Sequence, residues 1–136
     1  ETPYKKVLNE MKKKPIIIFD EKNYAGYLSA LELYPKELQG KKIRIKGFVF
    51  KDDPELKKDE FILSRFTVSC CTADASVVGV ITKYHQAPIL KADEWIEVEG
   101  TISTTKLFGY DSPLIELETY RKTQKPKDPY IYFSEN

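Results

Sequence analysis

Tyr4, Val7, Leu8 and Met11 fall at i, i+3, i+4 and i+7, the spacing of one apolar helical stripe, and Pro15 stops the pattern. A short leading helix is predicted. Ile16, Ile17, Ile18 and Phe19 then form an apolar run read as a strand, after which Asp20 is placed as an N-cap. Tyr24, Tyr27, Leu28 and Leu31 repeat the helical spacing up to Pro35, and these tyrosines are read as packing residues. From Gly40 onward the period changes to two, which predicts strands over 42–51, 61–71, 77–84, 95–103 and 113–120.

Two of these strands share a pattern in which a glycine interrupts an alternating run, with Gly47 before Phe48 and Val49, and Gly100 before Thr101 and Ile102. Such strands bend sharply or admit a neighbour closely. The expected fold is therefore mainly β, an OB-like β-barrel of five to six strands preceded by one or two N-terminal helices. Residues 1–15 form an N-terminal helix and linker, 16–133 the barrel domain with its leading strand and helix, and 134–136 a tail. A helix usually inserted between the third and fourth strands would fall over 84–93, and Pro88 keeps it short.

Charge argues against a phosphate-binding surface, because 22 Lys and Arg are balanced by 21 Asp and Glu. Lys5, Lys6, Lys12, Lys13 and Lys14 are read as the solvated face of the first helix, and a basic helix could also lie near a membrane surface. Single-strand binding needs aromatics with interleaved cations on the second and third strands. The second offers Phe61, Arg65 and Phe66, but the third is aliphatic up to Lys83 and Tyr84. Glu97, Glu99, Glu116 and Glu118, at alternate spacing, would repel phosphates, so nucleic acid is disfavoured. No apolar run approaches the roughly 20 residues of a membrane span. A start at Glu1, with neither Met nor an apolar leader, suggests a processed protein or an excised piece, and a lost anchor stays open.

The chemistry concentrates at the vicinal cysteines Cys70 and Cys71, the only two thiols of the chain. On a regular strand Ile62, Ser64, Phe66, Val68 and Cys70 share one face, while Leu63, Arg65, Thr67, Ser69 and Cys71 share the other. This phase sends Cys70 to the core and Cys71 to the surface, so convergence of the two sulfurs requires a bulge or turn. Thr72, Ala73, Asp74, Ala75 and Ser76 tolerate one, and Asp74 could cap it or return a carboxylate to the thiols. The inventory for zinc is Cys70, Cys71, Asp74 and the only histidine, His85. A two-thiolate site for a softer ion or a metalloid needs fewer partners. One buried and one exposed cysteine without ligand function is the plain alternative.

Thiolate catalysis would need a nearby base or cation. Arg65 lies about 20 Å along the strand from Cys71, and it is expected to pair with Asp52 or Asp53 at the barrel end. His85 is then the only base, with no residue evident to orient it, so an enzyme is not supported. A thiol oxidoreductase is a minor reading.

The run from Phe61 through Arg65, Phe66, Cys70, Cys71 and Asp74 to Ala75 resembles the hallmark of the bacterial YcgQ-like proteins. The strand at 40–49 precedes it as in that family, Trp95 to Gly100 follows, and 126–132 resembles the closing segment, so the likeness covers most of 16–133. The resemblance implies an extracytoplasmic domain of a protein anchored by N-terminal membrane helices and partnered with a membrane permease. It implies functional positions at Arg65, Cys70, Cys71 and Asp74, and a metal or metalloid as cargo. The expected function is thus a non-enzymatic accessory domain of a permease, with a thiophilic ion such as zinc at the cysteine pair. The alternative is an OB-fold module that binds a peptide, a glycan or single-stranded nucleic acid.

Overall fold

The computed structural model describes residues 3–68 and 76–133. In chain order these form α1 (Pro3–Lys12), β1 (Ile16–Ile18), α2 (Tyr24–Leu33), α3 (Pro35–Leu38), β2 (Lys42–Phe50), β3 (Glu60–Val68), β4 (Ser76–Lys83), β5 (Trp95–Leu107), β6 (Tyr110–Lys122) and β7 (Tyr130–Tyr132). A single 3-10 turn, Ala87–Ile89, stands where a helix was expected between β4 and β5, and Pro88 accounts for its brevity. Asp20 and Asn23 exchange hydrogen bonds, each side-chain oxygen accepting from the other's backbone N–H at 2.8 Å. These bonds close the turn that leads into α2, whose N-cap is Asn23 rather than the expected Asp20.

β2 through β6 close into a five-stranded barrel. β2 pairs antiparallel with both β3 and β5, β3 with β4, and β5 with β6, while a parallel contact between β4 and β6 completes the ring. The OB-like barrel expected from the alternating strands is what forms. β1 adds in parallel to the start of β2 and β7 in parallel to the end of β3, so both lie outside the ring. A Cβ on Gly47 would stand 2.6 Å from the Ser64 carbonyl oxygen, and one on Gly100 would also overlap the Glu116 carbonyl. Close approach of a neighbouring strand is therefore what excludes a side chain at both positions.

The core runs from the helices into the barrel. Leu8 and Met11 of α1 and Leu28 and Leu31 of α2 share one buried cluster with Ile43, Val49, Leu63 and Val98 of the strands. β5 and β6 run past their expected ends, because pairing continues through Thr104–Pro113, Thr105–Ser112 and Lys106–Asp111 to Leu107–Tyr110 although no apolar alternation marks that stretch. One expectation fails in phase. Phe61, Leu63 and Arg65 are the inward positions of β3, at 0%, 0% and 1% exposure, while on the other face Ile62 and Phe66 are only half-buried and Ser64 alone is enclosed. The expectation for Cys70 rested on the opposite phase, and Cys70 itself lies outside the described residues.

Candidate functional site

β3 carries the motif, and its last described residues lead to 69–75. Cys70, Cys71 and Asp74 lie outside the described residues, so the site is built from what approaches that segment. Arg65 dominates it. As an inward residue of β3 its guanidinium must find its partners inside, and the partner is neither Asp52 nor Asp53 but Glu21, in the turn before α2. Nη1 donates to Glu21 Oε2 at 3.0 Å and Nη2 to Oε1 at 2.8 Å, a bidentate pair. Nη2 also reaches the Pro129 carbonyl at 3.4 Å. Asp53 instead accepts from the Glu55 backbone N–H and shapes its own loop.

The guanidinium lies over two aromatic rings, 5.5 Å from the Tyr24 centroid and 5.3 Å from that of Trp95. Cation–π attraction thus offsets part of its desolvation. Among the described residues two polar atoms there have no hydrogen-bond partner, Arg65 Nε and the Tyr24 hydroxyl. Burial pushes the Tyr24 hydroxyl far above its ordinary pKa, with the Arg65 charge pulling the other way. On the opposite face of β3, Phe66 stacks on Phe48 at 4.6 Å and tilts against Tyr130 of β7 at 6.0 Å. The end of β3 is therefore held by an ion pair on one face and an aromatic layer on the other.

His85 belongs elsewhere in the fold. It is exposed, packs edge-on against Tyr84, and stands two residues past Lys83, which pairs with Glu60 at the start of β3. Residues 69–75 join the other end of the same hairpin, which is about 26 Å away at the usual rise per residue. Among the described residues no group of three or more His, Cys, Asp or Glu is placed to hold a metal ion.

The single-strand-binding face changes in two respects. Phe61 and Arg65 point inward and are lost to it. Glu97, Glu99 and Glu118 are each ion-paired, with Arg121, Arg44 and Lys42, so they repel phosphate less than their spacing suggests. Glu21, Trp95 and Pro129 converge on Arg65 from three separate segments, and no local spacing announces them. The only sequence signal was Arg65 itself, a charge within an otherwise well-patterned strand.

A family model described as the DUF1980 C-terminal domain matches residues 1–133. The chain belongs to this family. A relative, UPF0703 protein YcgQ of Bacillus subtilis, is 28% identical over 130 residues, 94% of this chain and 45% of that protein. The putative two-component membrane permease complex subunit of Streptococcus mutans is 29% identical over 112 residues, 81% of this chain and 40% of that protein. The chain thus spans less than half the length of these two relatives. Among solved structures, a small single-stranded DNA-binding protein from Streptomyces coelicolor overlaps at a TM-score of 0.36 and 16% identity, covering 62% of this chain and 94% of that one. Yeast RPA bound to ssDNA overlaps at 0.43 and 13%, covering 85% and 81%. Neither overlap is close enough to carry a functional argument. No helix among the described residues is long and apolar enough to cross a membrane.

Proposed function

We propose that this chain is a non-enzymatic accessory domain of a membrane permease complex, working on the extracytoplasmic side. The observation that carries this reading is the match, over 81% of the chain, to the Streptococcus mutans protein named as a subunit of such a complex. The finer part of the proposal is that Cys70, Cys71 and Asp74 offer two thiolates and a carboxylate to a thiophilic metal or metalloid, the cargo of the complex. Arg65 acts as an anchor in this reading. Its pairing with Glu21 and its contact with Pro129 tie β3 to α2 and to the approach to β7, close to where the cysteine segment begins.

Metal titration of the reduced chain tests the site. Zinc should bind the wild type and fail to bind the Cys70→Ser/Cys71→Ser variant, and equal binding by both would remove the thiolates from the proposal. The permease reading is tested separately, by cross-linking the full-length protein in native membranes and identifying the adduct. An adduct with a multi-span transport protein supports it, and recovery of the protein alone under efficient cross-linking refutes it.

A further inference from the structure

β4 has a strand on one side along its whole length and on the other side along only part of it. Ser76 to Lys83 pair with β3 throughout, but the ladder to β6 covers just Ile81, Thr82 and Lys83, opposite Leu114, Ile115 and Glu116. Pro113 explains where it stops. A parallel ladder extended by one residue would set Val80 against Pro113, which has no N–H to donate. The barrel opens at that point, leaving the 76–80 edge of β4 without a neighbour among the described residues.

Two adjoining clefts fill the opening. One, of about 250 Å³, lies between Gly79, Val80 and Ile81 on one side and Leu107, Phe108 and Pro113 on the other. The second, of about 560 Å³, continues along Val77, Val78 and Gly79 beneath the 51–59 loop. Their polar character has one sign, since Glu32, Asp53 and Glu55 line the first, Glu32, Asp52 and Asp53 the second, and no Lys or Arg lines either. Burial raises the pKa of Glu32, although much of its surface stays exposed. The first cleft is smaller than the roughly 300–1,000 Å³ of a small-molecule pocket. It suits a single apolar side chain.

Phe108 is an independent observation. It stands at the tip of the β5–β6 hairpin with a left-handed φ of 52° and 84% of its surface exposed, next to Gly109 at φ 83°. Such two-residue turns favour Asn or Asp followed by Gly, and a bulky side chain is disfavoured at the first position. An exposed aromatic held there at a conformational cost, at the mouth of an apolar cleft, is better suited to contacting a partner than to closing a turn.

We infer that this groove takes an extended peptide segment of a partner protein, added alongside the Val77–Val80 edge of β4, with an apolar side chain in the smaller cleft and Lys or Arg side chains against Glu32, Asp53 and Glu55. Main-chain pairing supplies affinity along an open strand edge, and pockets for alternate side chains supply selectivity. The acidic walls reject the phosphates that an OB-like face would otherwise suggest. The inference stands apart from the permease and metal proposals, since it uses none of the cysteine segment.

The probe is a fluorescein-labelled hexapeptide, Lys-Val-Lys-Leu-Lys-Val, followed by anisotropy and by amide shifts of the labelled protein. Saturable binding is expected, with shifts concentrated at Val77 to Ile81 and at Leu107 to Ser112. Asp53→Asn/Glu55→Gln should weaken it about fivefold, as partly exposed charge pairs do. Phe108→Asn, which suits the turn, should weaken it more than about tenfold while leaving the unfolding midpoint unlowered. Equal binding of the Glu-Val-Glu-Leu-Glu-Val counterpart, an unchanged affinity in Phe108→Asn, or displacement of the peptide by a single-stranded oligonucleotide with the same shifts would each overturn the inference.

Discussion

The two sides of the β3–β4 hairpin are finished in opposite ways. Beside β3, β7 takes up the edge at Phe66 to Val68, the Arg65–Glu21 pair ties in α2, and Phe48, Phe66 and Tyr130 layer the other face. Beside β4, the ladder to β6 stops before Pro113 and nothing among the described residues takes its place. A barrel removes sheet edges by closure, so an edge left open on one side and doubly secured on the other separates a region built for position from one built for contact. The difference is one of chemistry as well. The β3 side pairs its buried cation with a carboxylate, whereas the β4 side presents carboxylates that no cation lines.

The largest expected effects lie on the secured side. Arg65→Ala should cost about 3 kcal/mol, because it empties the space between the Tyr24 and Trp95 rings as well as removing the pair. Arg65→Met refills most of that volume, and Glu21, already 56% exposed at its side chain, can then turn to water. It should cost only about 1 kcal/mol. Glu21→Ala should fall between them, near 2 kcal/mol, since it leaves a buried guanidinium without its carboxylate, and loss of the half-exposed Glu21 side chain opens that site to water. Urea unfolding of the three variants checks the order. If Arg65→Met were the worst, the ion pair itself, rather than packing and an orphaned charge, would hold this side together.

Tyr24 sharpens the same point with opposite sign. Its hydroxyl is buried without a hydrogen-bond partner among the described residues, so Tyr24→Phe should raise stability at pH 7 by about 1 kcal/mol. The pH dependence follows from the raised pKa. The folded chain holds this proton more tightly than the unfolded chain, so the contribution is complete below the unfolded value near pH 10 and is lost as pH climbs above it. Tyr27 and Tyr132 are raised in the same direction. Tyr24→Phe should therefore reduce, without abolishing, the alkaline fall in stability measured between pH 9 and pH 11. An unchanged fall would show that the hydroxyl ionises no differently in the folded chain.

The strands of the barrel were legible in the chain, but neither the fastenings of the secured side nor the opening beside β4 was. Alternation named five strands because each buries alternate residues, and Gly47 and Gly100 signalled close approach by interrupting that alternation. The same alternation could not say which face of β3 is inward, since Leu63 and Phe61 lie on one phase and Ile62 and Phe66 on the other with equal hydrophobicity. Arg65 decided against itself: a charge reads as a surface residue until Glu21, 44 positions away, is brought to it. β7 was hidden in 126–132, because its three residues give no period to measure. The opening beside β4 depends on Pro113 failing to meet Val80, a pairing between strands distant in sequence. Only Phe108-Gly109 carried a local signal there, and an aromatic before glycine does not look like a turn.

Phe108 gives the smallest effect on stability and the clearest division between the two regions. Its left-handed backbone brings Cβ close to the following carbonyl oxygen, at a cost of roughly 1 kcal/mol that Asn bears more easily through local hydrogen bonding. Replacement by glycine would relieve the strain but enlarge the conformational freedom of the unfolded chain, so its net gain should be close to zero. Phe108→Asn avoids that loss, and with 84% of the side chain in water it sacrifices little burial. It should raise unfolding stability by about 0.5–1 kcal/mol, or a few degrees in the thermal midpoint. A fall in stability instead would mean that Phe108 packs onto the cleft and closes it. The hairpin tip would then belong with the secured half of the barrel.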